Sequence, residues 1–455
     1  MARLILKLCG QDEYVVSGFL EGHTHPLVTE EFKKYLKVNR KLGFVHYNFI
    51  LDCARANIGP MSSFRICKEV VGGYSNAGAT DKDDNLTSIF WADPTARRNY
   101  SIFGDVSIDC TYKTNRYEMI FAPFTGKDNH GKIVTFGAVL LSGENHESYE
   151  WVFEKFIECM RRHPSMIITD QDPAMKIAVQ CILHDTRHRL CMWHIMLKVP
   201  ERLLTHLKND ESFKKIFNAL VWSDLIEPDV FDAKWDAILI VYGLADESWF
   251  RSMFAIRILG AIFGHGFPTH PMSVIYRTTS ISESMNSFFN NYLNYGANLV
   301  EFMMYFDSAM DTQRNAYDLQ NSIDHSTLPK TSTPWKFEHH AATIYTTKLF
   351  VKVQEEIERA CYHCNVVRIE PGDSCITYGV EDGSDQTFTV SYDKVEDTAV
   401  CSCKKFVRKG LLCCHIFVLF NQFKWDEIPK KYVVSRWTRA AHLNPLDGIE
   451  DPLLE

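Results

Sequence analysis

No stretch of this chain approaches the ~20 consecutive apolar residues that a membrane span requires, so no membrane partner is expected. No secretory leader is expected either. The segment at 2–8 is short and carries Arg3 and Lys7, unlike the apolar centre of a signal peptide, and the expectation is an intracellular protein. Without secretory context, the fourteen cysteines read as reduced thiols and metal ligands, because disulfide frameworks belong to oxidising compartments. Positive charge is in deficit too. A formal net charge of −8 at first argues against nucleic acid, but its distribution reverses that judgement. Between Cys401 and Arg439 stand nine Lys or Arg against Asp426 and Glu427, a local excess of +7 on an otherwise acidic body. Such asymmetry is expected where one module touches phosphate, and DNA is the partner it suggests.

Within that island the chain reads Cys401-Ser-Cys403, nine residues, then Cys413-Cys414-His415. Zinc takes thiolate and imidazole ligands tetrahedrally, and four of them close a structural site. A C-x-C arm can close on one ion from a tight turn. A C-x-H at the head of the apolar run 416–420 offers two more ligands from a helix's first turn. Cys401, Cys403, Cys413 and His415 are therefore the expected Zn²⁺ ligands, with Cys414 packed inward.

At 455 residues the chain exceeds one ordinary core, and two or three domains are expected. Short strands are expected at 4–8 and 14–20, helix over 29–70, and a polar, Gly-rich linker over 72–85. β-rich segments at 102–112, 117–124 and 133–141, divided by polar turns, predict three antiparallel strands. Over 147–162, Tyr149, Val152, Phe153, Phe156, Ile157 and Met160 share one helical face. A buried strand at 166–169 then delivers Asp170, and a helix follows over 173–183. Three strands, helix, strand, helix is the order of an α/β, ribonuclease-H-like core. Residues 195–270 read as a large helical insertion, with Phe213, Phe217, Trp222, Trp235, Trp249 and Phe250 as core. Cys361 and Cys364 read as structural residues at a helix end, and 375–380 with 387–392 as a hairpin leading into the zinc module.

Three carboxylates stand out against this core. Asp109 ends a predicted strand, Asp170 ends the fourth, and Glu283 opens a later helix. Such a triad can hold divalent ions, Mg²⁺ above all, that activate water and stabilise the leaving oxygen in phosphoryl transfer. Asp172 and Glu301 are the competitors, read as a helix N-cap before Pro173 and as an exposed helix residue.

The motifs Asp109-Cys-Thr-Tyr-Lys-Thr-Asn115, Pro123-Phe-Thr-Gly126, Glu147-Ser-Tyr-Glu-Trp151, Thr169-Asp170-Gln-Asp172 and His188-Arg-Leu-Cys191-Met-Trp193-His194 resemble the Mutator-like element (MULE) transposase domain. With the C-terminal Cys/His pattern, similar to a SWIM zinc finger, the chain resembles the plant far-red-impaired-response family of transposase-derived regulators. The resemblance implies Asp109, Asp170 and Glu283 as an inherited acidic triad of doubtful activity. It also implies Cys191-x-x-His194 as a Cys/His motif, although two ligands on one helical turn do not complete a metal site. The implied function is nuclear, DNA-binding regulation of transcription, with related family members as homo- or hetero-oligomeric partners. An active metal-dependent transposase and a zinc-dependent protein-interaction factor are the alternatives. Family members begin with a WRKY-like zinc domain ending in His-x-His. Only 14–25 match it, His23 and His25 having Cys9 as the sole upstream candidate. The expected organisation is a remnant of that domain at 1–28, a helical segment and linker at 29–90, the transposase-like domain at 91–300, a helical connector at 301–370, the SWIM module at 371–440 and an acidic tail at 441–455.

Overall fold

The computed structural model describes residues 3–8, 14–20, 77–80, 86–112, 114–223, 226, 228–257, 281–384 and 386–441. Strands β1 (Arg3–Leu8) and β2 (Tyr14–Leu20) form an antiparallel pair, as the sequence suggests. The helix expected over 29–70, the residues Cys9, His23 and His25 of the expected remnant, and the tail from 442 onward lie outside the described residues.

A seven-stranded sheet follows. Its strands are β3 (Ala77–Thr80), β4 (Leu86–Trp91), β5 (Val106–Ile108), β6 (Ile120–Lys127), β7 (Ile133–Leu141), β8 (Met166–Thr169) and β9 (Arg187–Leu190). They lie in the order β3-β4-β7-β6-β5-β8-β9. β5, β6 and β7 pair antiparallel, while β8 and β9 run parallel to β5. This is the expected ribonuclease-H-like arrangement. It is lengthened on one edge by β3 and β4, so the stretch taken as a linker supplies a strand, and the sheet begins well before residue 91. β3 carries only Ala, Gly and Thr and has no apolar alternation to betray it. Edge hydrogen bonds to β4 place it.

Helix α1 (Pro94–Phe103) corrects another expectation, because Ile102 and Phe103 are helical. Asp93 caps its first turn through Ala96 N at 2.7 Å, and Pro94 fits at N1. Gly104 stops it in the left-handed region at φ 62°. Helices α2 (His146–Met160) and α3 (Pro173–Ile182) fall where expected, and Asp172 caps α3 through Met175 N at 2.7 Å. Tyr149, Val152, Phe153, Phe156 and Met160 of α2 are buried against the sheet with Phe90, Phe124 and Phe136. At Gly126 any Cβ would lie 2.5 Å from the Phe136 ring and 2.7 Å from the Asp105 carbonyl, so this strand position admits no side chain.

The insertion contains α4 (Met192–Arg202), α5 (Glu211–Val221), α6 (Pro228–Val241) and α7 (Ser248–Arg257). Phe213, Phe217, Trp235 and Phe250 form its core, with Trp222 and Trp249 packed at the margin. Residues 258–280 are outside the described part; α8 (Ile281–Asn290) and α9 (Leu299–Ser326) follow. α9 starts with a capping box, in which Glu301 accepts from Asn298 N at 2.9 Å. Its Phe302 and Phe306 pack edge-on against Trp91 and Phe121.

The C-terminal module joins α10 (Lys336–Ile344) and α11 (Thr347–Tyr362) to an antiparallel sheet of β10 (Asn365–Glu370), β11 (Cys375–Glu381), β12 (Thr387–Asp393) and β13 (Thr398–Cys401). The short α12 (Lys405–Lys409) and α13 (Cys414–Gln422) complete it. Phe337, Leu349, Phe350, Val353 and Ile357 share one core with Val380, Val390, Phe417, Leu419 and Phe420. Within the expected connector at 301–370, α10 and α11 thus contribute to the zinc module's core through Phe337, Ala341, Ala342, Leu349, Phe350, Val353, Ile357 and Ala360. Each such buried Phe, Leu, Val or Ile contributes about 1.5–3 kcal/mol, a share that a finger beginning at β11 would lack.

Candidate metal centre and acidic pocket

β13 ends on Cys401, and a tight turn brings Cys403 back so that its amide donates to Cys401 Sγ at 3.4 Å. Lys404 adopts φ 53° to make that turn, a left-handed conformation that costs a non-glycine residue about 1 kcal/mol. Cys413 is the N-cap of α13, and His415 stands in its first turn. All four residues are buried, and their ligand atoms lie within 4.8 Å of one another, with Cys401 Sγ 3.3 Å from His415 Nδ1. Hydrogen bonding from Cys401, and then Cys413, holds the Cys403 thiol far below its ordinary range. Burial pushes Cys413 upward. Burial would lower His415, but contacts with Cys401 and Cys403 outweigh it and raise the imidazole to about 12. Three sulfurs and one imidazole nitrogen gathered in a water-poor cage are the donor set of a closed tetrahedral zinc site.

The basic island is largely consumed by the fold. Lys405 pairs with Glu356 at 2.5 Å, Arg408 is buried, and Arg436 is buried against Asp105 at 2.5 Å. Arg439 donates to the Tyr345 carbonyl at 2.9 Å. Trp437 is buried, and Trp425 is half-buried and packs at a tilt on Phe420 and Phe423. Lys424, Lys430 and Lys431 remain exposed, with Lys431 3.8 Å from Asp397. Cys414 is buried as expected, with Cys364 beside it in the same core.

The second site lies where the parallel strands β5 and β8 end. Their register, Val106 to Ile167 and Ser107 to Ile168, carries Asp109 opposite Asp170. His194 Nε2 lies 3.5 Å from Asp109 Oδ1, and Asn286 Nδ2 donates to Asp109 Oδ2 at 2.8 Å. Asn286 in turn holds Thr111. Burial raises Asp109 above the usual carboxylate range, with His194 and Asn286 opposing and Asp170 adding to the rise. Burial raises Asp170 as well. Burial would lower His194, but Cys191, the N-cap of α4, and Asp109 beside it outweigh that and raise the imidazole. The Cys191/His194 pair is thus part of the acidic pocket. Glu283 lies in α8, but its side chain is outside the described residues. Among the described residues no group of three possible metal ligands gathers around Asp109 and Asp170, and the expected Mg²⁺ finds no support there.

Two residues of the pocket escaped sequence reasoning. Asn286 stood in the motif beside Glu283 but carried no charge to mark it. Glu144 accepts from Tyr112 at 2.8 Å and Tyr149 at 3.0 Å and adds negative potential to Asp170. It sits in a polar loop with no pattern around it.

The family model of the MULE transposase domain matches residues 106–198, and that of the SWIM zinc finger matches 388–424. Among curated proteins of Arabidopsis thaliana, Protein FAR1-RELATED SEQUENCE 5 is 28% identical over 97% of this chain and 61% of its own length. Protein FAR-RED IMPAIRED RESPONSE 1 is 29% identical over 81% and 44%, and Protein FAR1-RELATED SEQUENCE 9 is 30% identical over 79% and 66%. The chain belongs to the far-red-impaired-response family of MULE-derived proteins. It spans 61% and 44% of the first two of these relatives. In this family member, the transposase match takes in Asp109, Asp170, Cys191 and His194, and the SWIM match takes in all four expected zinc ligands.

Proposed function

We propose that this protein is a nuclear, zinc-dependent DNA-binding regulator of transcription built on a transposase fold that no longer cuts DNA. The observation that carries the reading is the pairing of an intact Cys/His cage with an acid, Asp109, that is already engaged by His194 and Asn286. A carboxylate held by an imidazole and an amide is poorly placed to hold the ions that phosphoryl transfer needs. The active-transposase reading draws on the strand-end register of Asp109 with Asp170.

The test is chromatin occupancy of the tagged chain beside the variant carrying Cys413→Ser and His415→Ala, with zinc measured by elemental analysis. The variant should lose its zinc and its occupancy together, because binding free energy at such sites is folding free energy. Occupancy unchanged by loss of zinc would remove the finger from DNA binding. Equal zinc in both proteins would sink the metal assignment.

A further inference from the structure

The SWIM match begins at residue 388, and a group outside it approaches the outer nitrogen of the cage's histidine. His415 turns Nδ1 toward Cys401 Sγ at 3.3 Å and Nε2 toward Asp382 Oδ2 at 3.4 Å. Asp382 lies outside the match, in the turn between β11 and β12, and is only 9% exposed. Phe388 covers one face of the imidazole, with ring centroids 4.1 Å apart and planes at 22°. One face of the ring is therefore covered by an aromatic residue, and its Nε2, which makes no hydrogen bond of normal geometry here, lies within ion-pair distance of a carboxylate.

The carboxylate is itself fixed from two sides. Ser384 donates to Asp382 Oδ1 through its amide at 3.1 Å and its hydroxyl at 2.5 Å. Arg359 Nη2 donates to Oδ2 at 2.6 Å. Arg359 belongs to α11, as does Glu356, which accepts from the Cys414 amide at 2.9 Å. α11 thus reaches the metal centre twice, once through Asp382 and once through the backbone beside two ligands.

We infer that Asp382, held by Arg359, is a positioning residue of the zinc site: it accepts the Nε2 proton of His415 and so presents the Nδ1 lone pair to the metal. A ligating histidine's second nitrogen commonly meets a carboxylate, which fixes the tautomer and ring orientation, and loss of that partner costs 10- to 100-fold in metal affinity. The inference rests on the zinc reading above and extends the site by a residue and a helix that the finger motif does not contain.

The experiment uses the full chain loaded with zinc and challenged with a chelator, alongside NMR of ¹⁵N-labelled histidine. In the parent, His415 should ligate through Nδ1 and keep a slowly exchanging proton on Nε2. Asp382→Ala should lower zinc affinity 10- to 100-fold. Asp382→Asn, which keeps an acceptor oxygen, should lose less and remain folded if the alanine variant does not. Asp393→Ala loosens the turn between β12 and β13, where its carboxylate accepts from the Val395 and Glu396 amides, and should stay within about twofold of the parent. Zinc bound through Nε2, parent affinity in both Asp382 variants, or an Asp393→Ala loss equal to that of Asp382→Ala would overturn the inference. A parent chain that binds no zinc would overturn the zinc reading itself.

Discussion

His188 occupies a position where a single proton matters. It stands in β9, with Nε2 2.8 Å from Thr169 Oγ1, and burial, assisted by Lys176, lowers it from 6.5 to about 4. A histidine that resists protonation when folded stabilises the chain above its unfolded value, and that contribution disappears as pH falls from about 6.5 toward 4. Allowing for partial exposure, about 2 kcal/mol is at stake. Thermal unfolding from pH 7 to 4 should therefore show a shallower acid loss in His188→Gln than in the parent. Zinc release contributes to both curves, so the difference between them is the reading, and parallel curves would exclude this histidine as a source of acid sensitivity.

Between elements, the decisive contact is Arg436 with Asp105. Asp105 also accepts from Ser165 at 2.6 Å, and Arg436 donates to the Lys127 carbonyl at 3.2 Å, which ties the segment after α13 to the central sheet. Removing one partner of a buried pair costs about 3–5 kcal/mol, because the other charge is left without compensation. Arg436→Leu should lower stability by that order, and Asp105→Asn made with it should recover part of the loss. Denaturant unfolding measures both, and additive losses would show that the pair does not act as a unit. This contact also marks what could be read from the residues. The strands at 133–141 and 166–169, the helix face of Tyr149 to Met160 and the clustering of Cys401, Cys403, Cys413 and His415 were legible because their signals are local, a period or a spacing. β3 and β9 were not. Both are edge strands, one built of Ala, Gly and Thr and the other reading Arg-His-Arg-Leu, and neighbours select them without any alternation. The basic island was legible as charge but not as structure, since the partners of Lys405 and Arg436 lie 49 and 331 residues away.

For the whole molecule, the question is whether a transposase-like core still acts as one. The engagement of Asp109 by His194 and Asn286 leads us to expect no strand cleavage or transfer on inverted-repeat DNA with Mg²⁺ or Mn²⁺. Asp170→Asn should then leave reporter transcription within about twofold of the parent. Metal-dependent strand transfer abolished by Asp109→Asn, Asp170→Asn or Glu283→Gln would establish the transposase instead.

The 331 residues separating Asp105 from Arg436 also set a clock on synthesis. At roughly 5–20 residues per second on the ribosome, the central sheet waits on the order of 20 to 60 s before its last buried cation emerges. Over that interval Asp105 has Ser165 but not its arginine, and the Lys127 to His130 turn lacks the helices that later bury it. We therefore expect the nascent core to stay incompletely closed until that segment is translated, and stalling the chain just before Arg436 should leave the sheet sensitive to protease where the released protein resists it.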